Sequence, residues 1–137
     1  MSRVATLLIA IMLVAGCGST PPQDAPGAST LAPLAATVSV ADASTLRDDG
    51  AFMLDVREPG EWVDGHIPGA TLIPLGGLAS RLDDVPRDQR IVVVCRSGNR
   101  SAEGRNILLE AGFPAVTSLD GGMSDWVRAG MPIETGG

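Results

Sequence analysis

Apolar and polar residues follow three successive regimes along the chain. From Val4 to Val14 every residue but Thr6 is apolar, behind the positive start Met1-Ser2-Arg3. Gly18 to Thr37 shows neither a helical nor an alternating period, is interrupted by Pro21, Pro22, Pro26 and Pro33, and carries only Asp24 as a charge. From Val38 onward short apolar runs alternate with segments of helical spacing, which is the signature of a small α/β domain.

Within that domain the pattern predicts a strand at Val38–Val40, a helix capped by Asp42 that runs to Gly50, and a buried strand over Phe52–Val56. Ala70–Ile73 reads as another strand, and Leu75–Leu82 as a helix ending before Pro86. Ile91–Val94 is all β-branched and apolar on both faces, as a central parallel strand requires. Ser101–Ala111 has Gly104, Ile107, Leu108 and Ala111 on one helical face, with Gly112 placed for a left-handed C-cap. Val116–Leu119 reads as the last strand, and Gly121-Gly122 as the turn into a closing helix that holds Trp126. No internal repeat is present, which excludes tandem copies of the domain.

The first regime is too short to span a bilayer, which takes about 20 apolar residues, but it suits the core of a secretory signal. It ends in Val14-Ala15-Gly16-Cys17. These residues resemble the lipobox of bacterial lipoprotein precursors, in which cleavage leaves a lipidated cysteine as the new N-terminus. The resemblance implies a signal peptide over residues 1–16, a lipidated N-terminus and flexible linker over 17–37, and a folded domain over 38–137. It further implies an exported lipoprotein anchored to the cell membrane through Cys17, with the domain on the extracytoplasmic side. A tether of this composition reaches roughly 25 Å root-mean-square.

Charge narrows the partners. Ten basic residues against sixteen acidic give a formal charge of −6, and loss of Arg3 with the leader makes the balance more negative. Sequence-independent nucleic-acid binding needs a dense basic surface, so it is not expected. The chain holds one histidine, His66, and two cysteines, Cys17 and Cys95, with no spacing that suggests a zinc site. The domain is read as a monomer.

The most informative segment is the order strand, Cys95-Arg96-Ser97-Gly98-Asn99-Arg100, helix. It sets a cysteine at the carboxyl end of a parallel strand, where open α/β sheets keep their binding sites. A short loop opening a helix turns successive amides inward to make an anion nest, and Gly98 permits the curl. Those donors and the two arginines are expected to favour thiolate over thiol, making Cys95 a candidate nucleophile.

At these residues the chain resembles the rhodanese family of sulfurtransferases. The loop CRSGNR is joined by Asp55-Val56-Arg57 with Glu61 and Trp62, by Gly65-His66-Ile67-Pro68-Gly69-Ala70, and by Gly121-Gly122, Trp126, Ala129-Gly130 and Pro132, in that order across Val38–Ile133. The resemblance implies a small parallel-sheet α/β domain with helices on both faces. It implies that Cys95 takes the outer sulfur of a sulfane donor such as thiosulfate, holds it as a persulfide, and passes it to cyanide or a thiol, with no metal or organic cofactor. The loop residues Arg96, Ser97, Gly98, Asn99 and Arg100 would bind the donor and stabilise the persulfide.

Other readings of the same residues are a persulfide carrier or sensing module for a protein partner, or a cysteine phosphatase or arsenate reductase. Cysteine phosphatases carry one residue more between cysteine and arginine, so the smaller ring here suits a single sulfur better than a tetrahedral phosphate. His66 is read as structural rather than as a catalytic base. Asp55, Arg57 and Glu61 are read as an ion network at the start of a helix, with Arg57 and Glu61 at i,i+4 spacing, rather than as substrate contacts.

Overall fold

The computed structural model describes residues 30–137. The expected leader, Cys17 and most of the expected linker lie outside the described residues. Five strands, β1 (Thr37–Val38), β2 (Phe52–Asp55), β3 (Thr71–Leu72), β4 (Ile91–Val94) and β5 (Val116–Leu119), form one sheet in the order β1-β5-β4-β2-β3. Every pairing in it is parallel. Between the strands run α1 (Val40–Asp48), α2 (Pro59–Asp64), α3 (Leu75–Leu78), α4 (Asn99–Glu110) and α5 (Gly122–Arg128), the arrangement expected of an α/β domain.

The two faces of β4 explain the layers. Side chains alternate across a strand, so Ile91 and Val93 join Leu54, Val56, Leu78, Leu108 and Phe113 in one core beneath α3 and α4. Val92 and Val94 join Ala43, Met53, Leu119 and Trp126 in a second core beneath α1 and α5. All four β4 residues are at most 1% exposed. Each such side chain contributes about 1.5–3 kcal/mol on burial, which is why the run needs apolar residues at every position.

Several boundaries differ from the sequence expectation for local reasons. Val40 belongs to α1 and not to the first strand, because Ser39 is the N-cap and accepts the Asp42 amide at 3.1 Å. Asp42 returns the contact as acceptor of the Ser39 hydroxyl, so it sits inside the helix it was expected to cap. The segment after Leu75 makes only a four-residue helix and then a 3-10 turn over Leu82–Asp84. Two of those four residues are Gly76 and Gly77, which weaken any helix. β3 is trimmed to two residues at the sheet edge. The helix expected from Ser101 begins at Asn99, since Gly98 already takes the N-cap position.

Parallel pairing brings the carboxyl ends of β2, β4 and β5 to one edge, the edge where such sheets bind ligands. Asp55 pairs with Val94, and Val93 pairs with Ser118. Cys95 therefore leaves the sheet between two strands that both carry polar side chains toward the same end.

Candidate active site

Cys95 follows the last residue of β4 and is 1% exposed. Its Sγ accepts the Gly98 amide at 3.0 Å and lies 3.4 Å from the Ser101 hydroxyl. Gly98 reaches this position with φ +106°, a left-handed conformation that L side chains rarely adopt. Burial alone pushes the thiol pKa up. The Ser101 hydroxyl and the amides of Ser101, Gly98 and Ser97 outweigh it, so the net direction is down and thiolate is favoured.

The loop is held from outside by α5. The Met123 amide donates to the Cys95 carbonyl at 2.8 Å, and the amide and hydroxyl of Ser124 donate to the Arg96 carbonyl at 3.0 and 2.9 Å. With those carbonyls turned outward, the planar trans peptides turn the Arg96 and Ser97 amides the opposite way. Gly122 is what lets α5 come so close: a Cβ there would lie 2.3 Å from the Cys95 carbonyl oxygen and 2.7 Å from the Arg96 carbonyl carbon. The Gly121-Gly122 pair, expected only as a turn, thus shapes the cysteine loop.

The two loop arginines part company. Arg100 makes a two-point ion pair with Glu61, Nη1 to Oε2 and Nη2 to Oε1, both at 2.7 Å. That contact holds the Glu61 carboxyl down to about 2. It also raises the Arg100 pKa, with the charge on Cys95 a smaller contributor. The Arg96 side chain is exposed and has no hydrogen-bond or ion-pair partner among the described residues. The thiolate is thus favoured chiefly by hydrogen bonds, where the sequence had pointed to arginine charge as well. Ser97 and Asn99 are exposed along the same loop.

The expected ion network is wired differently from its i,i+4 reading. Arg57, 5% exposed, donates to the Asp55 carboxylate through Nε and Nη2, the shortest contact being 2.7 Å. It reaches Glu61 only at the backbone carbonyl, 3.2 Å from Nη1, and Gly65 at its carbonyl, 2.9 Å from Nη2. The Glu61 carboxylate is left for Arg100, so the network ties β2 and α2 to the cysteine loop. His66 turns elsewhere. It stacks on Trp62 with ring centroids 3.6 Å apart, donates from Nδ1 to the Trp62 carbonyl, and pairs its backbone with Glu134.

Two residues absent from the sequence expectation complete the site. Ser101 and Ser118 are at most 1% exposed, and their hydroxyls are 2.7 Å apart. A signal was available: Val116–Leu119 is buried throughout yet carries the hydroxyls of Thr117 and Ser118, and buried hydroxyls are most often bonded; Ser118 is, while the Thr117 hydroxyl has no hydrogen-bond partner among the described residues. Beside the loop an open groove takes Arg96, Met123, Ser124 and Val127 from the loop and α5, and Glu61 and Asp64 from α2. Among the described residues no group of three or more His, Cys, Asp or Glu side chains is arranged to hold a metal ion.

A model of the rhodanese-like domain matches residues 39–129. The chain is 37% identical over 98 residues to the thiosulfate sulfurtransferase GlpE of Pseudomonas entomophila, covering 72% of this chain and 89% of that protein. It is 35% identical over 85 residues to a sulfurtransferase of Allochromatium vinosum, covering 62% and 79% respectively. The crystal structure of a rhodanese-related protein from Thermoplasma volcanium superposes with a TM-score of 0.69 at 29% identity, covering 74% of this chain and all of that one.

Proposed function

The chain belongs to the rhodanese-like domain family, and on that premise we propose that it is a thiosulfate sulfurtransferase that carries sulfur as a persulfide on Cys95. The observation that carries this reading is the Cys95 sulfur itself, seated at a strand end with the Gly98 amide donating to it and the Ser101 hydroxyl oxygen 3.4 Å away. Hydrogen bonds that lower a thiol's pKa favour the thiolate, which is the nucleophilic form.

In the first step the Cys95 thiolate attacks the outer sulfur of thiosulfate. A new S–S bond forms to Cys95 as the bond to the sulfonate sulfur breaks; sulfite leaves with that electron pair, and the persulfide keeps one negative charge. The loop amides that favour thiolate also suit the terminal persulfide sulfur, in the manner of an oxyanion hole. In the second step cyanide or a thiol attacks the outer sulfur and the Cys95 thiolate is restored. Arg96, the unpartnered cation of the loop, draws the dianionic donor in, while Arg100 is occupied by Glu61.

The test is steady-state release of thiocyanate from thiosulfate and cyanide. Many turnovers per chain, lost in Cys95→Ser, are expected. Sulfur loading without turnover supports a carrier for a protein partner instead, and hydrolysis of a phosphate ester without sulfur loading defeats the proposal. The leader and Val14-Ala15-Gly16-Cys17 support a second, independent part of the reading, export and tethering to the membrane through lipid on Cys17. Labelling with a palmitate analogue, lost in Cys17→Ala, is its test.

A further inference from the structure

The hydroxyls of Ser101 and Ser118 form a closed inventory beside Cys95. The Ser101 Oγ is 3.4 Å from the Cys95 sulfur, 2.9 Å from the Gly98 carbonyl oxygen and 2.7 Å from the Ser118 Oγ. Both serines are buried, and Ser118 has no other side-chain partner among the described residues. Each hydroxyl has one hydrogen to give and can accept from others. If Ser101 donated to Ser118, the Ser118 hydrogen would be buried without an acceptor, at the full desolvation cost of that group. That cost favours Ser118 as the donor and Ser101 as the acceptor.

That direction frees the Ser101 hydrogen to choose between two acceptors. The Gly98 carbonyl does not depend on it, because it also accepts the Ala102 amide at 3.1 Å. When Cys95 is a thiol, its hydrogen points at the Ser101 oxygen and the Ser101 hydrogen rests on the Gly98 carbonyl. When Cys95 is a thiolate, the Ser101 hydroxyl turns to the sulfur, and the bond from Ser118 polarises it in the favourable sense. We propose that Ser118 is a positioning residue that, by donating to Ser101, holds this two-position hydroxyl and so sets how readily Cys95 gives up its proton.

The placement of Ser118 fits such a task better than plain packing. It faces the core shared by Ile91, Val93, Cys95 and Val116, where a hydroxyl has no value without a bonded partner. The inference deepens the sulfurtransferase reading, and it rests on that reading only for its consequence in turnover.

The test is the pH dependence of Cys95 alkylation by iodoacetamide in the full-length chain, with the modified residue located by peptide mass. Ser118→Ala is expected to move the midpoint up by about one pH unit, and Ser118→Thr to bring it back. In a Ser101→Ala background Ser118→Ala is expected to add nothing, since its effect passes through Ser101. An unchanged midpoint in Ser118→Ala, or an equal shift with and without Ser101, overturns the proposal. Should Ser118→Ala fail to fold, the strand-favouring pair Ser118→Thr and Ser118→Val differs only in the hydroxyl, and equal midpoints there overturn it as well. Alkylation needs no sulfur donor, so the two readings fail separately. A Ser118-dependent midpoint in a chain that never loads sulfur defeats the sulfurtransferase reading alone; sulfur loading with a Ser118-independent midpoint defeats this one alone.

Discussion

Arg100 and Glu61 meet in a two-point ion pair, with both nitrogen-to-oxygen distances at 2.7 Å, although 39 residues separate them in the chain. The contact fastens the cysteine loop to α2 and neutralises a carboxylate that borders the open groove beside the loop. It also divides labour between the loop arginines, leaving Arg96 as the unpartnered charge.

Arg96→Ala is therefore expected to raise the KM for thiosulfate about tenfold, the loss of one charge-assisted contact. Arg100→Ala is expected to weaken donor use by a different route, through the Glu61 carboxylate left bare beside the groove. The double variant Glu61→Gln with Arg100→Ala should recover most of that loss. Steady-state kinetics in low salt make the comparison, because screening shrinks such effects at high ionic strength. Failure of the double variant to recover would assign Arg100 a direct donor contact.

The same pair predicts an acid limb in stability. The Glu61 pKa is lowered from 4.5 to about 2 in the folded chain. Its stabilisation is complete above the unfolded value and fades as pH falls from 4.5 toward 2. The pair is partly exposed, so its worth is at most about 1 kcal/mol. Urea midpoints across that range should show the parent losing this increment and Glu61→Gln lacking it.

The pKa of Cys95 lies below the ordinary thiol value of 9.0. Sulfur uptake from thiosulfate should rise with pH through that lowered pKa and level off above it. Ser101→Ala should push the rising limb upward, and a limb that stays in place would remove Ser101 from the thiolate's support.

Gly122→Ala should disturb the site from behind. Its Cβ would meet the backbone of Cys95 and Arg96, which cannot yield without moving the loop. A loss of about 2–4 kcal/mol is expected, the size of other backbone clashes and strains, together with lost sulfur transfer. Gly130→Ala is the control, since φ is also positive there but the space is open. Thermal midpoints separate the two, and equal losses would show that conformation, not the close approach, is what matters.

Much of the fold was legible because its signals are local. Ile91–Val94 and Val116–Leu119 announce themselves as strands by composition, and the cysteine follows the first of these at the edge where ligands bind. Helix starts were less so: Ser39 and Asp42 are both good caps three residues apart, and only the backbone decides between them. For the ion network, i,i+4 spacing sees neighbours close in sequence and cannot see Arg100 arriving from another helix. Ser118 escaped for the same reason, since its partner Ser101 lies across the packing of α4 on β5. Gly121-Gly122 looked like a turn because a pair of glycines carries no record of which backbone comes close.

If Cys95 takes one sulfur from thiosulfate, the intact mass of the full-length chain records it after mixing with thiosulfate. A gain of one sulfur atom located on Cys95 is expected, with an equal amount of sulfite released, no gain in Cys95→Ser, and return to the starting mass on adding cyanide. A chain that keeps its original mass in thiosulfate, or that gains sulfur equally well as Cys95→Ser, would contradict it.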